Sequence, residues 1–175
     1  MNNYFIVPGY GNSGPDHWQT YFENALPRCI RINQASWDRP IMEDWVVNIH
    51  KSITATDPKT VILISHSMGG IAIAHWAFQY NIKIKGAMIV APPDLENPFQ
   101  DLTIENFTPI PTTKLPFPSV IVASTNDHWA TKERTSLFAQ NWGSKLLFIG
   151  DAGHINIASG HTNWDEGLEI LRTIS

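Results

Sequence analysis

The chain has 175 residues, 43% of them hydrophobic and 16% charged, with a formal net charge of −4. That length fits one domain, residues 1–175, and the composition lies in the globular range rather than the disordered one. Basic residues are scattered without clusters, which argues against a nucleic-acid partner, and no apolar stretch is long enough for a membrane partner to be expected.

In chain order, the N-terminus enters the apolar run Tyr4 to Val7 almost directly, without a basic leader, and this run reads as a first strand. The loop that follows is Pro8-Gly9-Tyr10-Gly11-Asn12-Ser13-Gly14. Gly9, Gly11 and Gly14 have the spacing of a dinucleotide fingerprint, so a nucleotide-dependent oxidoreductase is one reading. Two details oppose it. The next strand ends at Ile32-Asn33-Gln34 without the acidic residue that binds a ribose, and Asp16 places negative charge where a pyrophosphate would sit. The same glycines let backbone N–H groups approach a substrate oxygen, and Tyr10 is then the best-placed donor.

Trp18, Tyr21, Phe22, Ala25 and Leu26 share one helix face, and Cys29 to Ile32 reads as the second strand. Cys29 is the only cysteine, so it makes no internal disulfide; a core thiol in a reducing cytoplasm is expected. Trp37, in the loop beyond this strand, is a candidate wall for the substrate, and Met42, Trp45, Val46, Ile49 and Ile53 mark the next helix.

Between residues 61 and 71 the apolar run Val61 to Ile64 passes into Ser65-His66-Ser67-Met68-Gly69-Gly70. A strand that reverses into a helix near Met68 lifts Ser67 onto a sharp corner with its hydroxyl exposed, a nucleophile elbow. Ser65 stands where glycine is usual but keeps the small size. Gly69 and Gly70 remove Cβ atoms that would strike the strand, and the N–H of Met68 is free to face an oxyanion. Ile71, Ala74, His75 and Phe78 then repeat at helical spacing and read as an inward face.

A fourth strand is expected at Gly86 to Val90. From Pro92 to Pro118 seven prolines deny the chain a regular helix, so this stretch is expected to cross as irregular loop, either a wall or lid over the site or a passive connection. Strands at Ser119 to Ala123 and Lys145 to Ile149 follow, and a last helix places Trp164, Leu168 and Leu171 inward behind an Asn163 to Glu166 capping pair. Six short apolar runs alternating with helices predict an α/β fold with about six mainly parallel strands.

A serine hydroxyl needs a base, and the base needs a carboxylate to fix its tautomer. Asp127 lies just past the fifth expected strand and His154 just past the sixth, so with Ser67 they make the chain order Ser, Asp, His. Asp94 is the rival carboxylate. His17, His50 and His75 are assigned to helical faces, and His66 is read as pointing across the elbow. His128 and His161 sit in C-terminal loops, and His128 joins Trp37 as a candidate substrate contact. No metal-ligand spacing occurs, so neither metal nor cofactor is expected.

These residues resemble the α/β-hydrolase superfamily, and within it the RBBP9/YdeN-like small serine hydrolases. The resemblance runs nearly end to end and rests on Val7 to Trp18, on Trp37-Asp-Arg-Pro40 before the Trp45 helix, on the elbow, on Asn126-Asp127 and on Gly153-His154. It implies a compact hydrolase core without a large cap, Ser67 as nucleophile, Asp127 as acid and His154 as base. The expected partner is a small acyl compound, an ester first, with thioester and amide using the same parts. A protein-binding module that keeps the fold is the alternative.

Overall fold

The computed structural model describes residues 1–97 and 103–174. In chain order the elements are β1 (Asn3–Val7), α1 (Trp18–Ala25), β2 (Cys29–Arg31), α2 (Met42–Thr54), β3 (Val61–His66), α3 (Met68–Tyr80), β4 (Gly86–Val90), β5 (Ser119–Ala123), α4 (Lys132–Trp142), β6 (Lys145–Phe148) and α5 (Asp165–Arg172). The six strands form one sheet in the order β2-β1-β3-β4-β5-β6, and every neighbouring pair is parallel. All C-terminal strand ends therefore open on one edge, where a parallel sheet places its ligands.

The two-residue side-chain period divides the strands between two cores. Phe5, Val7, Val61, Leu63, Ile89 and Ile121 face the layer of α2, α3 and α4. Tyr4, Ile6, Ile62, Ile64, Val90 and Val122 face α1 and α5. Because both faces are covered, β3, β4 and β5 are buried at every residue and read as unbroken apolar runs instead of alternating ones.

Two local expectations change, and one helix is added. Phe78 is 65% exposed. α3 is buried at every position from Met68 to Ala77, so its apolar spacing does not single out an inner face, and its last turn projects beyond the layer. The Asn163 to Glu166 capping pair does not form. Trp164 is itself the N-cap of α5, its indole is buried, and the backbone of Gly167 lies against that ring, where a Cβ would approach to 2.3 Å. α4 was not foreseen, although Thr135, Phe138, Ala139 and Trp142 carry a helical period behind the Thr131 cap.

The stretch from Pro92 to Pro118 contains no helix or strand among its described residues, and its residues 98–102 lie outside them. It is more than a passive strap. Phe107, Ile110, Leu115 and Phe117 enter the core beneath α2 and α3, and Glu105 bridges Ile41.

Candidate active site

Ser67 is the residue between β3 and α3, and the corner it turns is tight. Its φ of 52° and ψ of −130° are unusual for a residue with a side chain, a conformation that costs on the order of 1–3 kcal/mol and is held by the surrounding fold. Two contacts hold it: the Ser67 N–H donates to the carbonyl of Val90 at 2.9 Å, and Gly69 lies so close to β1 that a Cβ there would stand 2.2 Å from the Val7 carbonyl oxygen. The helix can start directly over β1 only because that atom is missing.

Past β6 the chain brings His154 to this corner. Its Nε2 lies 3.0 Å from Ser67 Oγ, and its Nδ1 lies 2.8 Å from Oδ2 of Asp127, which follows β5. The His154 and Asp127 side chains are only 7% and 5% exposed, so the pair is shielded from competing water. Asp127 Oδ1 also accepts from the Trp129 N–H, which fixes the carboxylate plane. Asp94 is committed elsewhere, in an ion pair with Arg134 Nε at 3.1 Å, and does not reach the imidazole.

The two loops are fastened together. Asn126 Oδ1 accepts from the Gly153 N–H, Ser124 Oγ accepts from the Ala152 N–H, and Trp18 Nε1 donates to the Ile155 carbonyl. Opposite them, Gly9 packs against Ser67, where a Cβ would meet the serine Cβ at 2.8 Å. The Gly9 to Gly14 loop thus spends its first glycine on approach to the serine, and α1 begins only at Trp18, beyond the span of a dinucleotide motif. Tyr10 and Met68 both border the cavity, and no backbone acceptor among the described residues engages either amide. Arg31 pins the loop from β2 by donating to the Ser13 carbonyl and to Asn12 Oδ1.

The cavity over Ser67 has a volume of about 290 Å³. Met68, Pro93, Leu95 and Trp129 form its apolar side, so the start of the proline-rich crossing does supply wall. Asn12, His17, His66 and Asn156 form its polar side. Trp37 and His128 do not border this cavity. Trp37 stands edge-on to Trp45 with ring centroids 5.7 Å apart, and the exposed His128 tilts against Trp129 with its ring centroid 6.2 Å from that of His154.

Sequence reasoning missed His17 and His66 as cavity residues. His17 is the N-cap of α1, with Nδ1 accepting from the Gln19 N–H, and not a member of a helical stripe. His66 Nε2 donates to the carbonyl of His154 at 2.9 Å. Burial, followed by Arg31, His154 and His161, lowers the His17 pKa from 6.5 to about 4. Burial also pushes His66 well below the usual range, helped by His154 and His17.

These depressed values make stability depend on pH. Between about 4 and 6.5 the unfolded chain binds protons that folded His17 refuses, so its contribution is complete above 6.5 and is lost as pH falls towards 4. The expected loss from His17 is about 3 kcal/mol at pH 4. Urea midpoints measured from pH 7 to 4 should fall steeply in the wild type and less in His17→Asn; equal slopes would contradict the assignment.

Cys29 is half-buried, and burial with Glu23 nearby raises its thiol to about 12, leaving it a poor nucleophile. Among the described residues no cluster of three or more His, Cys, Asp or Glu is placed to hold a metal ion, and no helix is long and apolar enough to cross a membrane.

The sequence profile of the serine hydrolase family matches residues 4–173. A YdeN-like hydrolase from Pectobacterium atrosepticum is 32% identical, with 99% of this chain and 90% of that one aligned at a TM-score of 0.86. The ydeN gene product of B. subtilis shares the fold at 19% identity, with 99% and 98% coverage and a TM-score of 0.86. So does Est1E from Butyrivibrio proteoclasticus, solved with ferulic acid bound, at 14% identity, 98% and 90% coverage and a TM-score of 0.69. No curated protein matches the chain's sequence. With an elbow serine, a six-stranded parallel sheet and a family match over almost its whole length, the chain belongs to the serine hydrolase family as a YdeN-like member of the α/β-hydrolase fold.

Proposed function

We propose that this hydrolase cleaves a small carboxylic ester or related acyl compound through an acyl-enzyme, with Ser67 as nucleophile, His154 as base and Asp127 as its partner. The observation that carries the reading is the continuous relay from Ser67 Oγ to His154 Nε2 and from His154 Nδ1 to Asp127 Oδ2. As Ser67 Oγ attacks the acyl carbon, its proton passes to His154 Nε2, and Asp127 stabilises the imidazolium. The negative charge on the former carbonyl oxygen faces the Tyr10 and Met68 amides, which stand ready before the reaction begins. Collapse breaks the bond to the leaving group, which takes the proton from His154. Water then gives a proton to His154 as it attacks the acyl-enzyme, and collapse of the second intermediate returns that proton to Ser67 Oγ and releases the acid.

The cavity volume, about 290 Å³, favours a short acyl group. Covalent labelling is the direct test. A fluorophosphonate probe should react with the native protein and leave its adduct on the Ser67 peptide; an adduct on Ser13 or Ser65, or none, would overturn the reading.

A further inference from the structure

His17 and His66 stand side by side on the polar side of the cavity, with ring centroids 4.8 Å apart and planes at 62°. Their hydrogen bonds define which nitrogen carries the proton. His17 Nδ1 accepts from the Gln19 N–H, so the proton of the neutral ring is on Nε2. His66 Nε2 faces the His154 carbonyl, which can only accept, so Nε2 carries the proton and Nδ1 is a bare acceptor. Each ring therefore has one committed nitrogen and one spare.

The spare atoms are His17 Nε2–H, a donor, and His66 Nδ1, an acceptor. Neither is engaged by any hydrogen bond among the described residues, and neither is among the polar atoms sealed off without a partner, such as Ser65 Oγ and Trp76 Nε1. Both residues are more than nine-tenths buried, at 6% exposure each; His17 also lines a second hollow with Pro15, Asp16 and Asn24, and among the cavities found in the described residues only the catalytic one borders both rings. A buried donor beside a buried acceptor complements a group that can both accept and donate. Near neutral pH both rings are uncharged, and no Lys, Arg, Asp or Glu borders the cavity among the described residues, so a charged substituent would find no counter-ion there.

We propose that His17 and His66 form a subsite for an uncharged hydroxyl group on the substrate, His17 Nε2–H donating to its oxygen and His66 Nδ1 accepting its proton. The substrate is then a small hydroxylated ester, and the hydroxyl orients it while Ser67 attacks. This rests on the serine-hydrolase reading above. It adds a selection that the apolar side of Leu95 and Trp129 could not make, because a site built to pair a hydroxyl rejects the analogue that leaves its groups unpaired.

The test uses two isosteric series read as kcat/KM, each value divided by the ester's own rate with hydroxide. The acyl series is methyl 3-hydroxypropanoate, methyl butyrate, methyl methoxyacetate and the methyl malonate monoanion. The alcohol series is 2-hydroxyethyl acetate and propyl acetate. In one series the hydroxylated member should exceed its alkyl isostere by about tenfold or more. If that series is the acyl one, the ether, whose oxygen lies one atom nearer the ester and cannot donate, should rank with the alkyl ester, and the carboxylate should be poorest. In His17→Asn the side-chain oxygen can still cap α1, but the ring donor is gone, and the hydroxyl preference should shrink to about twofold or less.

Alkyl esters equal to or better than their hydroxylated isosteres in both series of the wild type would overturn the proposal, whatever the variant does. So would a preference that survives His17→Asn in a folded protein. Fluorophosphonate labelling of wild-type Ser67 separates the two levels: a labelled enzyme without hydroxyl preference defeats only the subsite, whereas an unlabelled one defeats the serine-hydrolase reading beneath it.

Discussion

Ser67→Ala is expected to lower kcat for ester hydrolysis on the order of 10⁶-fold, about 8 kcal/mol of transition-state stabilisation, while the fold survives. The size follows from the relay. In the proposed mechanism, losing Oγ would leave His154 Nε2 nothing to deprotonate in the first step, and no acyl-enzyme could form. His154→Ala should cost nearly as much, because the serine then keeps its proton. The double variant should be scarcely worse than either single one, since the two act as a unit. Structural damage is not expected, as the tight corner at residue 67 is held by the backbone bond to Val90 and by the Gly69 contact with β1, neither of which uses the hydroxyl. Steady-state kinetics with a thermal melt as control settles the matter; a variant that retains more than about a hundredth of the wild-type kcat would point to another nucleophile.

Asp127→Asn is expected to lower kcat on the order of 10⁴-fold with little change in KM. The carboxylate fixes the proton of His154 on Nδ1 and leaves Nε2 free to accept from Ser67. An amide in its place can present its N–H to Nδ1, which favours the opposite tautomer and leaves the charged imidazole uncompensated. Asp94→Asn is the informative comparison. Asp94 belongs to an ion pair with Arg134, so its loss should affect the anchoring of the 94 to 96 turn and leave the imidazole unaffected. A crippled Asp94→Asn beside an active Asp127→Asn would reverse the acid assignment.

The meeting of Ser67, Asp127 and His154 was legible because each follows an apolar strand run by only a few residues, and parallel topology sends every such position to the same edge of the sheet. The strands themselves were legible for a related reason. With both faces covered, β3, β4 and β5 are almost wholly apolar; β4 and β5 fall on the expected residues, and β3 runs two residues further, to His66.

Trp37 illustrates what such reasoning lacks. An indole in a loop beyond a strand can border the site or brace a helix, and the same local pattern serves both; the packing of α2 brings Trp45 beneath it and decides for bracing. The Gly9, Gly11 and Gly14 spacing was equally ambiguous until Gly9 was found against Ser67, 58 positions later in the chain.

By itself, then, the sequence determined the alternation of strands and helices, the corner at Ser67 and the chain order of the three candidate catalytic groups, because these depend on periodicity and on turns only a few residues long. Only the tertiary structure decided which side chains enclose the cavity. His17 reaches it from the cap of α1, His66 from the end of β3, Leu95 from the crossing after β4 and Trp129 from the loop after β5, and they meet because the sheet order sets β1, β3, β4 and β5 side by side. Which nitrogen of each imidazole is spare was decided there as well, since a proton's position is set by the partner across the contact, and those partners are settled only by packing.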